Sequence, residues 1–302
     1  MKEINNKDID PESLYPHDLA NLANKKLEEL ADGYRDIPRE LERPIRYCLL
    51  SGGKRIRPVL AMAAAASLGR DPEYVLPAAC AIEFIHSYSL IHDDLPAIDD
   101  DDLRRGKPSC HRKFGEDIAI LTGDALFAEA FSIILREQQG TPHRLIQAMR
   151  EITEASGASG MVAGQVTDVS SSRHRMSRQS LEKMHTNKTA RLIAASITAS
   201  AILCGAEKKV LEKYREYGMN TGLAFQITDD ILDITSSSMV TGKTAGKDKK
   251  QAKNTYPLLW GIEQSKKIAA DKIHKALEVL EQSGTDNLLM KNIAQFILIR
   301  RS

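Results

Sequence analysis

Apolar residues recur every three to four positions over most of the chain, the spacing of helices with one buried face. The pattern holds over Leu19 to Leu30, Pro58 to Leu68, Leu76 to His92, Ile118 to Arg136, Leu145 to Ala155, Leu181 to Cys204, Val210 to Ile234 and Ser265 to Leu280. These segments are rich in helix-forming residues, and no run with the alternating period of a strand separates them. The chain therefore reads as all-α. Stop signals fall between the segments: Ser51-Gly52-Gly53, Gly69-Arg70-Asp71-Pro72, Gly106-Lys107-Pro108 and Gly140-Thr141-Pro142. Short connections between long helices predict a bundle. Only Ser170 to Gln179 and Ser236 to Lys253 lack the period over any length, and no shift in composition marks a boundary, so residues 1–302 are expected to form one domain.

Composition adds bounds. A chain of 302 residues with 42% hydrophobic content fills a sizeable core. Lys and Arg total 42 against 41 for Asp and Glu, so the net charge of +1 gives no reason to expect nucleic acid or an anionic membrane as partner. The longest uncharged stretch, Leu192 to Ala206, is interrupted by Ser196, Thr198 and Ser200 and is shorter than the roughly 20 residues of a membrane span, so it reads as a core helix. Cys48, Cys80, Cys110 and Cys204 form no C-x-x-C pair, which argues against zinc and against a disulfide framework and fits a reduced, cytoplasmic setting. The polar, acid-containing N-terminus is unlike a signal or transit peptide, so no export is expected.

The chemistry concentrates in two carboxylate clusters. The first carries Asp93 and Asp94, then Asp99 to Asp102, followed at once by Leu103-Arg104-Arg105-Gly106. A run of this kind is ordinarily a solvated loop, and it lacks the alternate ligands and central glycine of a calcium loop. The second cluster lies inside an apolar helix, where unpaired carboxylates cost several kcal/mol. There Gln226, Asp229, Asp230 and Asp233 stand at i, i+3, i+4 and i+7 and are expected to project from one face. Asp93 sits one turn beyond Ser89 and two beyond His86, before Pro96 ends its helix, so two helices aim carboxylates at one cavity. Oxygen-only ligands select hard cations, and Mg²⁺ prefers to be shared between protein carboxylates and a substrate phosphate.

Candidate cations face these acids. Gly52-Gly53-Lys54-Arg55-Ile56-Arg57-Pro58 places three positive side chains between a glycine turn and a helix start. It is not a Walker A loop. Arg104, Arg105, Lys188 with Thr189, and Gly242-Lys243-Thr244-Ala245-Gly246-Lys247-Asp248 are further candidate diphosphate ligands.

Together these motifs resemble the trans-prenyltransferases, the farnesyl and geranylgeranyl diphosphate synthases, from about Arg46 to the C-terminus. Asp93-Asp94-Leu-Pro-Ala-Ile-Asp99 resembles the longer form of the family's first aspartate-rich motif, and Asp229-Asp230-Ile-Leu-Asp233 the second. The resemblance implies the isoprenoid synthase fold, a single-domain bundle of long helices around a deep central cavity, and a homodimer. It implies that Lys54, Arg57, His86 and Arg105 bind isopentenyl diphosphate, that Arg104, Lys188 and Lys243 hold the allylic diphosphate, and that Asp93, Asp94, Asp99, Asp229, Asp230 and Asp233 hold Mg²⁺. Thr189 and Gln226 would stabilise a developing carbocation. Gly164-Gln165-Val-Thr-Asp168 resembles a further cavity motif. Two departures stand out: Ala190 occurs where glycine is expected, and Ser236 to Ser238 replace an acidic segment.

The activity so implied is condensation of isopentenyl diphosphate with dimethylallyl or geranyl diphosphate. Chain length depends on cavity depth, set by Tyr88 and Ser89 just before the first motif. Tyr88 lies about 7.5 Å down the helix from Asp93. An aromatic floor there predicts a fifteen-carbon farnesyl product, as in the bacterial farnesyl synthases the chain resembles, with the twenty-carbon product as the alternative because the Gly242 to Asp248 stretch resembles geranylgeranyl synthases. A terpene cyclase would carry a different second motif, and a non-catalytic partner subunit would have lost charged motif residues. Arg300 and Arg301 have the basic character of a lid over the site.

Overall fold

The computed structural model describes residues 10–34, 36–171, 175–235 and 254–300. A 3₁₀ turn at Pro11–Leu14 leads into α1 (His17–Asp32), α2 (Arg39–Leu49), α3 (Ile56–Ser67) and, after a second 3₁₀ turn, α4 (Leu76–Asp93). A two-residue hairpin, β1 (Leu103–Arg104) with β2 (Lys107–Pro108), precedes α5 (Cys110–Phe114), α6 (Glu116–Glu137), α7 (Pro142–Ser156), α8 (Met161–Ser171) and α9 (Arg178–His185). A π-helical turn, Thr186–Ala190, joins α9 to α10 (Arg191–Cys204). The chain then runs through α11 (Lys208–Thr235), α12 (Tyr256–Trp260), α13 (Ile262–Glu281) and α14 (Leu288–Ile299).

The architecture is the expected helical bundle, and most predicted helices extend by only a residue or two. The segment read as one helix from Leu181 to Cys204 is instead broken by the π turn, which is invisible to a period count. The one-sided pattern also missed α2, α8 and α14. Helix α2 contains Pro44, and α14 is apolar on most sides. Helix α8 inverts the usual rule: it buries Gly164 and Asp168 while exposing Val162, Val166 and Val169.

Helix α10 is the axis of the bundle, buried along its length and packed by α3, α7 and α11. Its small residues let neighbours come close, and its hydroxyls are satisfied internally: Ser196 donates to Leu192 O at 2.8 Å and Ser200 to Ala61 O at 2.6 Å. On α11, Gly218 and Gly222 face Ala194 and Ala190, where an added Cβ would stand 2.6 Å from either Cα. Such overpacking typically costs about 1–3 kcal/mol. The departure at Ala190 is thus matched by a glycine on the opposing helix, which leaves room for its methyl group.

Two segments, Pro72–Asp93 and Glu116–Glu137, are long and apolar enough to cross a bilayer by length and composition. They hold α4 and α6, which pack against each other in the bundle. Helix α4 carries the buried Glu83, which accepts from Arg55 at 2.8 Å. Arg55 also donates to Leu49 O and Asn24 Oδ1 and is buried. Of the three cations in the glycine-turn motif, this one is therefore structural: its left-handed backbone (φ 52°) turns it into the core between Lys54 and Arg57.

Candidate active site

The start of α3 and the middle of α4 bring Arg57 and His86 together, the hairpin supplies Arg104 and Arg105, and Lys54, in the turn before α3, shares Asp229 with Arg57. The Arg57 guanidinium is buried and its Nε has no partner among the described residues. His86 is held well below the ordinary imidazole range by burial and by the charges of Arg57, Arg105 and Arg104, so it is neutral at pH 7. Lys54 is also lowered, first by burial and then by Arg300. Cations gathered at this density destabilise one another until an anion joins them, which is the physical signature of a phosphate pocket.

The hairpin explains how Arg105 reaches this pocket. Register Arg104↔Lys107 leaves Arg105-Gly106 as a two-residue turn, with φ of 53° and 74°. Turns of this kind need positive φ at both positions and favour Asn-Gly or Gly-Gly, so arginine there is held against about 1–2 kcal/mol of backbone strain. Its guanidinium lodges on Ser51 Oγ and Gly52 O, and a Cβ on Gly53 would lie 2.6 Å from Arg105 Cζ. Gly53 thus serves close approach as well as turning.

On the acidic side, Asp93 ends α4 and Asp99 follows in the loop, where Asp99 N donates to Asp93 O at 2.9 Å. The Asp93 carboxyl is pushed up to about 6 by burial; Lys188 pulls it back and Asp99 adds to the rise. Asp94 is different. It is buried against Arg104, which donates from Nε at 3.1 and 3.2 Å and also from Nη2. Arg104, arriving from the hairpin, thus reaches both oxygens of Asp94, which was expected among the metal ligands, and is itself anchored by them.

The π turn carries Lys188 and Thr189 into the same space. Lys188 Nζ donates to Asp168 Oδ2 at 2.6 Å, and its pKa is raised by Asp168, Asp93 and Asp99 against the opposing effect of burial. Asp168, quoted only as part of a motif, is thereby found to be a positioning partner. Gly164, one turn earlier on α8, makes the approach possible, since a Cβ there would fall 2.7 Å from Lys188 Cβ. Thr189 Oγ1 donates to Gln226 Oε1 at 2.7 Å, linking the π turn to α11.

The four polar residues of α11 share one arc but meet different partners. Steps of 100° per residue spread them over about 100°, with Asp229 and Asp230 at its two edges. Gln226 Nε2 donates to Asp230 Oδ1 at 2.9 Å, and Tyr256 N donates to Asp230 Oδ2 at 3.1 Å. Buried Asp230, also expected among the metal ligands, therefore fastens α12 to α11. Asp229 faces the pocket: it contributes to the charge environment of Lys54 and Arg57, and Arg300 Nη2 donates to its Oδ1 at 2.5 Å. Arg300 also lies 4.0 Å from the centre of the Phe225 ring. The C-terminal end of the described chain thus reaches the second motif. Asp233 lies half-buried one turn beyond Asp229. Lys243, the Gly242 to Asp248 stretch, Ser236 to Ser238 and Arg301 lie outside the described residues.

Below the first motif, Tyr88 packs edge-on against Phe127 of α6 with ring centres 5.0 Å apart, and Phe127 meets Phe131 at 5.3 Å. Ser89 bonds within its own helix, donating to His86 O at 2.9 Å.

Asp93 and Asp99, which share Lys188, and Asp229 on α11 offer oxygen alone, a donor type that fits a hard cation such as Mg²⁺. A second group, Asp100, Asp102 and His111, brings ligand atoms within 4.8 Å of one another, but Asp102 also pairs with Arg112 at 3.1 Å and imidazole suits softer metals. The first group fits a diphosphate-bound cation better because Lys188 and Arg104 lie beside it.

A helical bundle with aspartates on two helices facing a basic pocket has the form of an isoprenoid synthase. The profile of the polyprenyl synthetase family matches residues 38–295, and the chain belongs to that family. It is 45% identical over 270 residues to the chloroplastic geranylgeranyl pyrophosphate synthase of Capsicum annuum, covering 89% of this chain and 73% of the relative. It is 47% identical over 271 residues to geranylgeranyl pyrophosphate synthase 11, chloroplastic, of Arabidopsis thaliana, covering 88% and 76%. The crystal structure of a Helicobacter pylori geranyltransferase, complexed with magnesium and isoprenyl diphosphate, superposes with a TM-score of 0.81 at 28% identity, covering 96% of this chain and 97% of that one. The chain is a prenyltransferase that elongates prenyl diphosphates. The cytoplasmic setting read from scattered cysteines and a polar N-terminus is overturned by these plant relatives, which are chloroplastic enzymes.

Proposed function

We propose that this chain condenses isopentenyl diphosphate head to tail with an allylic diphosphate, with Mg²⁺ as cofactor, and that it carries the product to twenty carbons, geranylgeranyl diphosphate. The observation that supports the reaction is that Arg104 stands between two groups, Asp93 with Asp99 and Lys188 on one side and His86 with Arg57 and Arg105 on the other. The twenty-carbon length rests on the names of the plant relatives. A plastid setting is proposed for the same reason. The homodimer is also proposed, supported by the exposed Ile120, Leu121 and Leu135 of α6.

In this reading Lys54, Arg57, Arg105 and neutral His86 hold the diphosphate of isopentenyl diphosphate. Arg104, fixed by Asp94, and Lys188, fixed by Asp168, hold the allylic diphosphate and receive the charge that develops as it leaves. Magnesium, held by Asp93, Asp99 and Asp229, would neutralise that leaving group. The Thr189 hydroxyl proton is committed to Gln226, so its oxygen lone pairs are left to face an allylic cation. Most of the catalysis is then positioning of the isopentenyl double bond against that cation.

Because the Asp93 carboxyl sits near 6, protons compete with metal as pH falls through that value. The raised value means that the neutral form dominates below it. The Mg²⁺ concentration for half-maximal rate is expected to rise steeply, toward about tenfold per pH unit, below pH 6 and to be flat above pH 7. Initial rates across a magnesium series at several pH values check this.

A fifteen-carbon product is the second reading, favoured by Tyr88 against Phe127. Incubating the protein with labelled isopentenyl diphosphate, geranyl diphosphate and magnesium, then resolving the dephosphorylated alcohols, decides between them. Twenty carbons from the wild-type chain supports the proposal. Fifteen from wild type and twenty from Tyr88→Ala would overturn it and establish Tyr88 as the floor.

A further inference from the structure

The cysteines that are far apart in sequence are not all far apart in space. Cys48 lies in the last turn of α2 and Cys110 opens α5, and the two thiols line one cavity close enough for Cys110 to raise the Cys48 thiol above its ordinary range. The residues around them set this approach. Tyr47 Oη donates to Pro108 O at 2.8 Å, the Tyr47 ring meets Phe114 edge-on at 5.4 Å, and Lys113 Nζ lies 3.7 Å from the Tyr47 ring centre. One side of the pair is therefore clamped to the other both before and after Cys110. The two cysteines also line one cavity together with Ser51, Asp94, Arg104 and Arg105. Neither is needed in the mechanism above.

We propose that Cys48 and Cys110 form a reversible disulfide that governs the access of isopentenyl diphosphate to the basic pocket. The co-reactant is a dithiol–disulfide carrier or a small-molecule equivalent. One cysteine thiolate attacks the carrier disulfide and releases one carrier thiolate. The second cysteine sulfur then attacks the resulting mixed disulfide and releases the other. Two S–H bonds in the protein are replaced by one S–S bond, and the carrier takes up two electrons and two protons as its dithiol. The neighbouring Cys110, followed by burial, holds the Cys48 thiol well above its ordinary range, so thiolate is scarce and exchange is slow without a catalyst.

The functional consequence follows from where the bond falls. Helix α2 leads directly into the Ser51 to Lys54 turn, and the Arg104-Arg105 hairpin leads directly into α5. A sulfur–sulfur bond of about 2 Å ties these two segments together. The hairpin is then held against the Ser51 to Lys54 turn, so Arg105 leaves Ser51 and Gly52 less readily to reorient on an incoming diphosphate. Oxidation should therefore weaken isopentenyl diphosphate binding, a step that rests on the assignment of Arg105 to that substrate. The bond itself does not depend on that assignment.

The test equilibrates the full chain in dithiothreitol redox buffers from about −350 to −200 mV, a range spanning common protein disulfides. Alkylation and peptide mass mapping follow, with kinetics on the same samples. The expected result is a linked peptide pair containing Cys48 and Cys110, a KM for isopentenyl diphosphate raised at least threefold, and recovery on reduction. Cys48→Ser and Cys110→Ser should each show the reduced-state KM in every buffer. Absence of the linked pair throughout the range overturns the site. A linked pair with an unchanged KM overturns the control of binding, whatever product the enzyme makes.

Discussion

Replacing Asp93 with asparagine is expected to lower kcat/KM by about three to four orders of magnitude, equivalent to roughly 4–5.5 kcal/mol of transition-state stabilisation, with little change in melting temperature. Asparagine keeps the volume and one oxygen but removes the charge that makes Asp93 a ligand. The half-buried carboxyl stands beside Lys188 and Asp99, whose fields set its charge. Its neighbours provide the contrast. Asp230 accepts from Tyr256 N and Gln226, and Asp230→Asn should reduce stability more than turnover. Steady-state kinetics beside thermal melts separate the two. Equal kinetic losses at Asp93 and Asp230 would return Asp230 to the metal site.

Arg105→Gly is expected to separate stability from function. Glycine accepts the positive φ of the hairpin turn at no cost, relieving about 1–2 kcal/mol of strain, which offsets the lost bonds to Ser51 and Gly52. Folding stability should therefore be nearly unchanged. Charge-assisted bonds to a phosphate contribute about 1.5–3 kcal/mol, so the KM for isopentenyl diphosphate should rise about 10- to 100-fold while that for the allylic substrate moves little. A chain that gained stability and kept its KM would show that the strained arginine serves only the turn.

The bundle was legible because its helices bury one apolar stripe each, and most long helices were bounded within three residues. What escaped was structure that depends on a partner. Helix α8 buries a glycine and an aspartate because Lys188 comes from the π turn to meet them, and no period count finds that. The carboxylates of the two motifs look alike in sequence, yet Arg104 claims Asp94 and the Tyr256 backbone claims Asp230. Each of these partners arrives from another element. Cys48 and Cys110 are brought to one cavity in the same way, by the packing of α2 against α5. The basic residues of the glycine-turn motif stand out in the sequence, but the backbone conformation of Arg55, which sends one of them into the core, is set by the turn and not by composition. The compartment was misjudged because cysteine usage and a polar N-terminus report on it only weakly.

The central claim is that two diphosphates are held by different means, one by cations of the chain and one through metal shared with Asp93, Asp99 and Asp229. Calorimetric titration with an unreactive allylic diphosphate analogue, in magnesium and in chelator, tests it most directly. The account predicts binding at least about tenfold tighter with magnesium for the wild-type chain, a metal contribution of about 1.4 kcal/mol or more, and no such difference for Asp93→Asn. Isopentenyl diphosphate should bind alike in both conditions. Allylic affinity that is the same with and without magnesium would contradict the account.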